Sequence, residues 1–269
     1  FQPQSLGSGG SRLICGNHEE LTAFEHLAAL HFQSESCLYF PSGYMANLGL
    51  FSCLLSRGDT YIYDQLAHAS IRDGIRLSPA QAFGFEHNNL TALESKLKLA
   101  KGKKVIVVES IYSMDGDEPP IHEMVSLAQK YHAEIVVDEA HSTGLLGKKG
   151  SGWINQQGLT DHIFARIHTF GKAWGIHGAV VAGSETLKQY LSNFSRPLIY
   201  STAPSPHELQ TLMFSLKRIE EADEARSLLL KKIALFQSAC RQLQIDHLLT
   251  SNSAIQGVII HGNHNAKIG

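Results

Sequence analysis

The sequence predicts an α/β fold in which a large domain with a mainly parallel central sheet precedes part of a smaller α/β domain. The chain has 269 residues, 43% of them hydrophobic, which suffices for one large domain and part of another. Short β-branched runs alternate with longer amphipathic segments, the pattern of stacked βαβ units. A charged, Ala-rich segment follows the last of these units.

The predicted strands are short β-branched runs, several of which end directly at polar residues. They cover residues 105–108, 135–137, 163–167 and 179–182. Runs of this length and composition are typical of strands. An apolar stretch over 37–40 leads into a turn.

Apolar residues at helical spacing predict the helices that cover the sheet. One helix begins after the cap-forming residues Asn88 and Asn89, and a second spans the apolar positions 124–128. A longer stripe over 209–219 continues into EEADEARSLLLKK. We expect this last helix to lead toward the smaller domain.

The predicted domain boundary lies within this charged segment. We expect the large domain to cover 1–222 and the start of the small C-terminal domain to cover 223–269. The apolar run SAIQGVIIHG, at 253–262, resembles a strand. Because the chain begins in a Gly/Ser-rich loop and ends soon after this run, we expect residues to be missing at both ends.

The net charge, the length of the apolar runs and the cysteine spacing limit which classes of protein fit the sequence. The net charge of -2 gives no electrostatic attraction for nucleic acid or an anionic membrane. The sequence contains no run of about eighteen apolar residues, and its first residues, FQPQSLGSGG, lack the charged and apolar regions of a signal peptide. The four cysteines form no CxxC pair, so buried thiols in the cytoplasm are favoured over disulfides. Small-molecule chemistry is therefore expected.

Reactive side chains follow two of the predicted strands. Residues 135–137 lead into Asp138 and His141, and residues 163–167 lead through Thr169 to Lys172. Open α/β sheets bind ligands at the carboxyl ends of their strands. Taken alone, Asp138 would be a turn residue and Lys172 a surface lysine in a glycine-rich loop. Together they can meet the needs of an aldehyde cofactor, which requires an amine, a carboxylate and hydrogen-bond donors.

A candidate phosphate site lies at 41–47, where PSGYMAN opens an amphipathic helix. Free backbone N–H groups at such a helix start bind anions, and Gly43 permits close approach. A simple Ser42 N-cap would look the same, and the local sequence does not separate the two readings.

Six ordered motifs resemble the α-oxoamine synthase family, pyridoxal 5'-phosphate (PLP) enzymes of fold type I. The resemblance covers nearly the whole chain and implies an aspartate aminotransferase-like large domain. The motifs are GSGGSR (7–12), SGY (42–44), LAHAS (66–70), ESIYSMDGD (109–117), DEAH (138–141) and TFGK (169–172).

The resemblance assigns the catalytic and ring-binding roles residue by residue. Lys172 would carry PLP as a Schiff base and remove the substrate Cα proton, and Asp138 would pair with the pyridinium nitrogen. His141 and Ser113 would hydrogen-bond the phenolate oxygen. His68 would stack on the ring, although outside this resemblance a core or helix-capping histidine is as reasonable.

The remaining assignments concern the phosphate, the partner subunit and the substrate. Gly43, Tyr44 and Thr169 would hold the phosphate together with Thr202 of the partner subunit, in a homodimer with shared active sites. Taken alone, the segment around Thr202 reads as a strand that runs into a Pro-broken loop. Glu109 would position substrate or Ser113. His18 is a weaker substrate candidate, for which a loop hydrogen bond is the favoured alternative.

The implied reaction condenses a small amino acid, L-alanine or glycine, with an acyl-CoA or acyl-carrier thioester. Carbon dioxide and a thiol leave, and an α-amino ketone forms. The motif wording is most similar to the biotin-pathway branch of the family, which uses L-alanine. Branches that use glycine or serine, and ordinary aminotransferases, are the alternatives. The acyl donor, the amino acid and the arginine that binds the substrate carboxylate cannot be assigned from these residues.

Other classes of protein fit the sequence less well. The GSGGSR stretch lacks the dinucleotide spacing and follows no visible strand, and GxSxG is absent. No further His or Cys pair shows metal-ligand spacing beside Asp138 and His141. A non-catalytic binding module is a further alternative. The family usually has a smaller residue than Trp174 and varied residues at Ile176 and His177, so we expect a differently shaped acyl pocket.

Overall fold

The computed structural model describes residues 6–260 and 262. Seven strands form one sheet in the order β1-β7-β6-β5-β4-β2-β3. The strands are β1 (Ser36–Phe40), β2 (Thr60–Asp64), β3 (Gln81–Phe85), β4 (Lys104–Glu109), β5 (Ala133–Asp138), β6 (Ala165–Thr169) and β7 (Ala179–Gly183). Neighbouring strands from β3 to β6 pair in parallel, and β7 is antiparallel to both β6 and β1. The predicted α/β fold with a mainly parallel sheet is confirmed.

Ten α-helices occur within the described residues, and most of them cover the sheet. They are α1 (Glu19–Phe32), α2 (Gly43–Leu54), α3 (Ala69–Leu77), α4 (Leu90–Leu99), α5 (Ile121–Tyr131), α6 (Trp153–Gln157), α7 (Glu185–Phe194), α8 (Arg196–Ile199), α9 (Pro206–Glu220) and α10 (Asp223–Gln242). In the described part of the chain, no helix has both the length and the apolar composition needed to cross a membrane.

Alternating strand residues divide the core into layers on the two faces of the sheet. Along β4, Val105 and Val107 pack with the layer that includes α2 and α3. Ile106 and Val108 pack with the opposite layer, which includes α4 and α5. Successive side chains of a strand point to opposite faces, and this strand is apolar throughout because helices cover both faces.

Strand β6 begins and ends two residues later than the sequence predicts. Ile163 follows a 3₁₀ turn, and pairing with β5 starts at Ala165. His168 and Thr169, expected after the strand, lie within it opposite Val180 and Ala179 of β7. Antiparallel pairing with β7 therefore extends β6 up to the site.

The predicted strand at 253–262 does not form in its described part. An isolated bridge joins Val258 to Leu248, with no further ladder. Instead, Ser253 Oγ accepts from the Ile255 N–H at 3.1 Å, and Ser251 Oγ accepts from the Ser253 N–H at 3.1 Å. Such serine turns compete with strand pairing for backbone donors. Residue 261 of this run lies outside the described residues.

The long C-terminal stripe forms two helices rather than one. α9 ends at Glu220 and α10 begins at Asp223. The Arg226 guanidinium donates to the Ile219 carbonyl at 2.9 Å and to the Gly144 carbonyl at 3.2 Å. These bonds tie the start of α10 to the end of α9 and to the loop at Gly144. The domain division at 222 stays a prediction.

Candidate active site

The reactive side chains meet where β4, β5 and β6 end side by side. In the sheet register, Glu109 of β4 lies opposite Asp138 of β5. They open onto a cleft of about 240 Å³, and the neighbouring strand β6 contributes Thr169. The cleft is lined by Ser42, Gly43, Tyr44, Asn47, His68, Ser70, Glu109, Asp138, Ala140, His141, Thr169, Gly171, Lys172, His177 and Gly178. Parallel neighbouring strands bring these carboxyl ends to one edge of the sheet.

Asp138 is fixed at the floor of the cleft by two hydrogen bonds. Its side chain is buried, and Oδ1 accepts from the Ala140 N–H at 2.9 Å. Oδ2 accepts from Asn47 Nδ2 at 2.7 Å. Donors of this kind fix the orientation of a carboxylate.

Asn47 and Ser70 are site residues that the sequence reasoning missed. Asn47 Nδ2 also donates to Ser70 Oγ at 3.0 Å, and Ser70 Oγ lies 2.7 Å from His68 Nδ1. The chain of contacts continues because the His68 N–H donates to Glu109 Oε1 at 2.6 Å. Two features of the sequence could have indicated them, since Asn47 is a polar residue among the apolar residues of α2 and Ser70 belongs to the LAHAS motif.

The start of α2 provides a place for an anion at one end of the cleft. Ser42 caps the helix by accepting from the Met45 N–H, as the N-cap interpretation predicts, and the phosphate interpretation stays a prediction. The first N–H groups of a helix have no acceptor within it, which leaves those of Gly43 and Tyr44 available. A Cβ at Gly43 would collide with the Thr169 methyl. Thr169 Oγ1 is buried without a hydrogen-bond partner.

Lys172 lies at the rim of the cleft, in the loop between β6 and β7. Its backbone carbonyl accepts from the Gly175 N–H at 3.1 Å, and its side chain is exposed. The loop reverses direction tightly, because the Phe170 N–H donates to the Gly178 carbonyl at 2.9 Å and Ile176 donates back to Phe170. An exposed amine on a short, hydrogen-bonded loop can react with a ligand in the cleft.

Two titratable groups in the cleft have displaced pKa values. Burial, with the charges of Lys172 and His68, lowers the pKa of His141 to about 4. His141 is therefore neutral at physiological pH and keeps both a donor and an acceptor nitrogen. Burial and the charge of Asp138 raise the pKa of Glu109 to about 8. Perturbed groups gathered in one cleft are typical of functional sites.

The family model for aminotransferase class I and II matches residues 2–266. The chain belongs to this family. An 8-amino-7-oxononanoate synthase from Marinobacter nauticus is 38% identical to it over 262 residues, 97% of this chain and 66% of the relative. Three curated relatives, this one included, are matched over 59 to 66% of their length, so the chain spans less than two thirds of each.

Two solved structures are similar to this member of the family. A serine palmitoyltransferase from S. paucimobilis, with a bound PLP-myriocin aldimine, superimposes with a TM-score of 0.92 at 31% identity, covering 96% of this chain and 68% of that one. An 8-amino-7-oxononanoate synthase from Francisella tularensis gives 0.82 at 32% identity, with 95% and 73% covered. The resemblance to α-oxoamine synthases within the family is confirmed.

The cleft brings together most, but not all, of the residues that the family resemblance assigns. Eight of them line it: Gly43, Tyr44, His68, Glu109, Asp138, His141, Thr169 and Lys172. Ser113 is half-buried in the loop after β4, and His18 directly precedes α1. Thr202 is exposed and lines a small surface pocket. These three residues do not line the cleft.

Trp174 does not line the cleft, and the expectation of a differently shaped acyl pocket stays a prediction. Trp174 is buried and stacks on Phe170 at a centroid distance of 4.3 Å and on Phe32 at 6.1 Å. His177, from the same loop, does line the cleft. The large side chain therefore anchors the lysine loop to the core.

Proposed function

We propose that this chain is the PLP-binding part of an acyltransferase that condenses a small amino acid with an acyl thioester. The amino acid is L-alanine or glycine, the acyl donor is an acyl-CoA or acyl-carrier thioester, and an α-amino ketone forms as carbon dioxide and the thiol leave. Within this reaction class we favour the activity of 8-amino-7-oxononanoate synthase, an enzyme of biotin biosynthesis. The observation that carries the proposal is one cleft combining Lys172, Asp138 and a helix start suited to phosphate.

The residues present fit PLP on grounds of their own chemistry. Thr169 Oγ1 and Asn47 Oδ1 are buried polar atoms without partners, which a ligand group can satisfy. The space over Gly43, closed to any larger residue by Thr169, suits a phosphate against backbone N–H groups. A buried, oriented carboxylate at Asp138 suits a protonated ring nitrogen.

PLP would supply the electron sink for the carbanion that forms at the amino acid Cα. Lys172 would hold the cofactor and take the proton from that carbon. Asp138, held by Asn47 and Ala140, would keep the ring nitrogen protonated. His141, neutral because its pKa is low, would donate to the phenolate oxygen, and His68 would pack against the ring.

An apolar chamber beside Lys172 is the proposed place for the acyl group. It has a volume of about 370 Å³ and borders the cleft at Ala140, His141 and Lys172. Leu145, Leu229 and Ile255 are among its remaining lining residues. Apolar walls bind a hydrocarbon chain through the hydrophobic effect and leave the thioester carbonyl toward the polar cleft.

We further propose a cytoplasmic homodimer with shared active sites. Thr202 lies outside the cleft of its own chain and is exposed, which suits a contact of Thr202 of the partner subunit with the phosphate. All four cysteines lie unpaired in the described residues, as is usual in reducing compartments.

A serine palmitoyltransferase-like enzyme is the second candidate, favoured by the similarity to that structure. Glycine C-acetyltransferase and ordinary aminotransferases are further members to test. The natural full-length protein, supplied with PLP, should be assayed for thiol release with alanine, glycine and serine against several acyl-CoAs. Thiol release with alanine and a dicarboxylic acyl-CoA supports the proposal. Amino transfer to a keto acid without thiol release would overturn it.

A further inference from the structure

Outside the cleft, a cluster of polar side chains joins the loop that carries His68 to the loop that carries Ser113. His87 lies in the turn between β3 and α4, with the carboxylates of Asp64 and Asp117 on either side. His87 Nδ1 is 3.0 Å from Asp64 Oδ1, and His87 Nε2 is 2.8 Å from Asp117 Oδ2. Neither carboxylate belongs to the cleft lining.

On one side, this cluster fixes the loop that carries His68. Asp64 is fully buried at the end of β2. Its Oδ1 accepts from the Leu66 N–H at 2.8 Å, and its Oδ2 accepts from the Asn88 N–H at 3.0 Å. The carboxylate therefore sets the path of the chain just before His68.

On the other side, the cluster fixes the 110–117 loop, which carries Ser113. The Tyr112 N–H donates to the Asp117 carbonyl at 3.0 Å, which closes the loop. The buried Tyr112 ring meets His87 edge to face at a centroid distance of 4.5 Å. Asn88 Nδ2 donates to Asp117 Oδ2 at 2.8 Å.

We propose that His87 is a positioning residue that, through Asp64 and Asp117, fixes the loop of His68 and the 110–117 loop relative to the cleft in which PLP would bind. This inference rests on the proposed function. Two carboxylates, one at each ring nitrogen, match an imidazolium that donates from both. Burial lowers the pKa of His87, but the hydrogen bonds and charges of Asp64 and Asp117 outweigh it and raise the pKa above its ordinary value.

The same cluster has the spacing of a metal site, since ligand atoms of His87, Asp115 and Asp117 lie within 4.8 Å of one another. The contacts favour the positioning role. The Asp117 oxygen that faces His87 also accepts from Asn88, and the other His87 nitrogen faces Asp64. A cation bound at Asp117 Oδ2 or Asp64 Oδ1 would compete with these donors, whereas Asp117 Oδ1 has no partner among the described residues.

The test compares three variants with the wild type in the natural full-length protein. His87→Gln keeps the size of the side chain but places a carbonyl oxygen against one carboxylate. Adding Asp117→Asn gives that oxygen an amide donor and rebuilds the bridge without charge. His122→Gln, on the exposed face of α5, is the matched control. The measurements are the PLP dissociation constant, visible circular dichroism of bound PLP, kcat, KM and the unfolding midpoint.

We expect His87→Gln to bind PLP within about threefold of wild type, because the phosphate site is unchanged, while kcat falls about tenfold or more. The dichroism band, which reports ring orientation, should shrink. The double variant should recover at least about half of both losses. His122→Gln should match wild type.

Wild-type dichroism and kcat in His87→Gln would overturn the inference, and so would a double variant no better than the single one. If neither the single nor the double variant folds at 25 °C, His87 has a purely structural role, and the inference is overturned as well. A midpoint that shifts with added Zn²⁺ or EDTA would make the cluster a metal site and contradict the positioning role. A wild type that binds no PLP would overturn the proposed function and this inference together. A wild type that binds PLP, with unchanged variants, would overturn this inference alone, so the two failures can be told apart.

Discussion

Asn47 donates a hydrogen bond of 2.7 Å to Asp138, which lies 91 positions further along the chain. The contact joins the first turns of α2, whose start is the proposed phosphate site, to the end of β5, where the ring nitrogen would bind. One amide thus sets the spacing between the two ends of the cleft.

Asp138→Asn should keep the fold and lose the partner of the ring nitrogen. A neutral amide stabilises a pyridinium charge less than a carboxylate does. We expect kcat to fall at least about a hundredfold, equivalent to roughly 2.7 kcal/mol of transition-state stabilisation. Steady-state kinetics measures the loss, and near-wild-type activity would show that Asp138 is a turn residue.

Asn47→Ala should produce a smaller loss than Asp138→Asn, because the carboxylate stays and only its orientation is released. Removing one partner of a buried hydrogen bond costs about 1–3 kcal/mol. We expect kcat to fall about tenfold, with no large change in the amino acid KM. Asn193→Ala, an exposed helix position, is the control. Equal kcat in the two alanine variants would remove Asn47 from the site.

Glu109→Gln should stabilise the PLP-free protein at alkaline pH. The pKa of Glu109 rises from its ordinary 4.5 to about 8, so its folded-state contribution is complete below 4.5 and is lost as pH rises through 8. The unfolding midpoint of the variant, relative to wild type, should therefore increase between pH 5 and pH 9. The matched control is Glu123→Gln, on an exposed face of α5. A difference that does not change with pH would contradict the pKa shift.

Thr202→Val should weaken PLP binding about tenfold or more, because a hydrogen bond to a charged group contributes roughly 1.5 to 3 kcal/mol. Mixing two impaired variants decides whether Thr202 acts on the site of its own subunit or on that of the partner subunit. In a heterodimer of Lys172→Ala with Thr202→Val, a contact across the dimer leaves one site intact. Up to half of wild-type activity should then return at limiting PLP. If no activity returns, Thr202 acts within its own subunit, whereas wild-type PLP binding by the Thr202→Val homodimer would show that Thr202 has no part in the site.

The strands over 105–108, 135–137 and 179–182 could be predicted because strands whose two faces are both covered are apolar throughout. The strand predicted at 253–262 does not form in its described part, because apolar composition alone does not place a neighbouring strand against its backbone N–H and C=O groups. The ordered motifs indicated Lys172, Asp138 and His141. The Asn47–Asp138 contact could not be predicted, since a pair 91 residues apart leaves no periodic mark on the sequence.

The central claim is that Lys172 binds PLP covalently, and borohydride reduction followed by peptide mass mapping tests it most directly. In the wild type, a reduced pyridoxyl group should appear on Lys172, and the visible absorption band of lysine-bound PLP should disappear on reduction. Lys172→Ala should show neither band nor label, whereas Lys148→Ala, at an exposed position, should behave as wild type. A pyridoxyl label on another lysine, or an unchanged visible band in Lys172→Ala, would contradict the account.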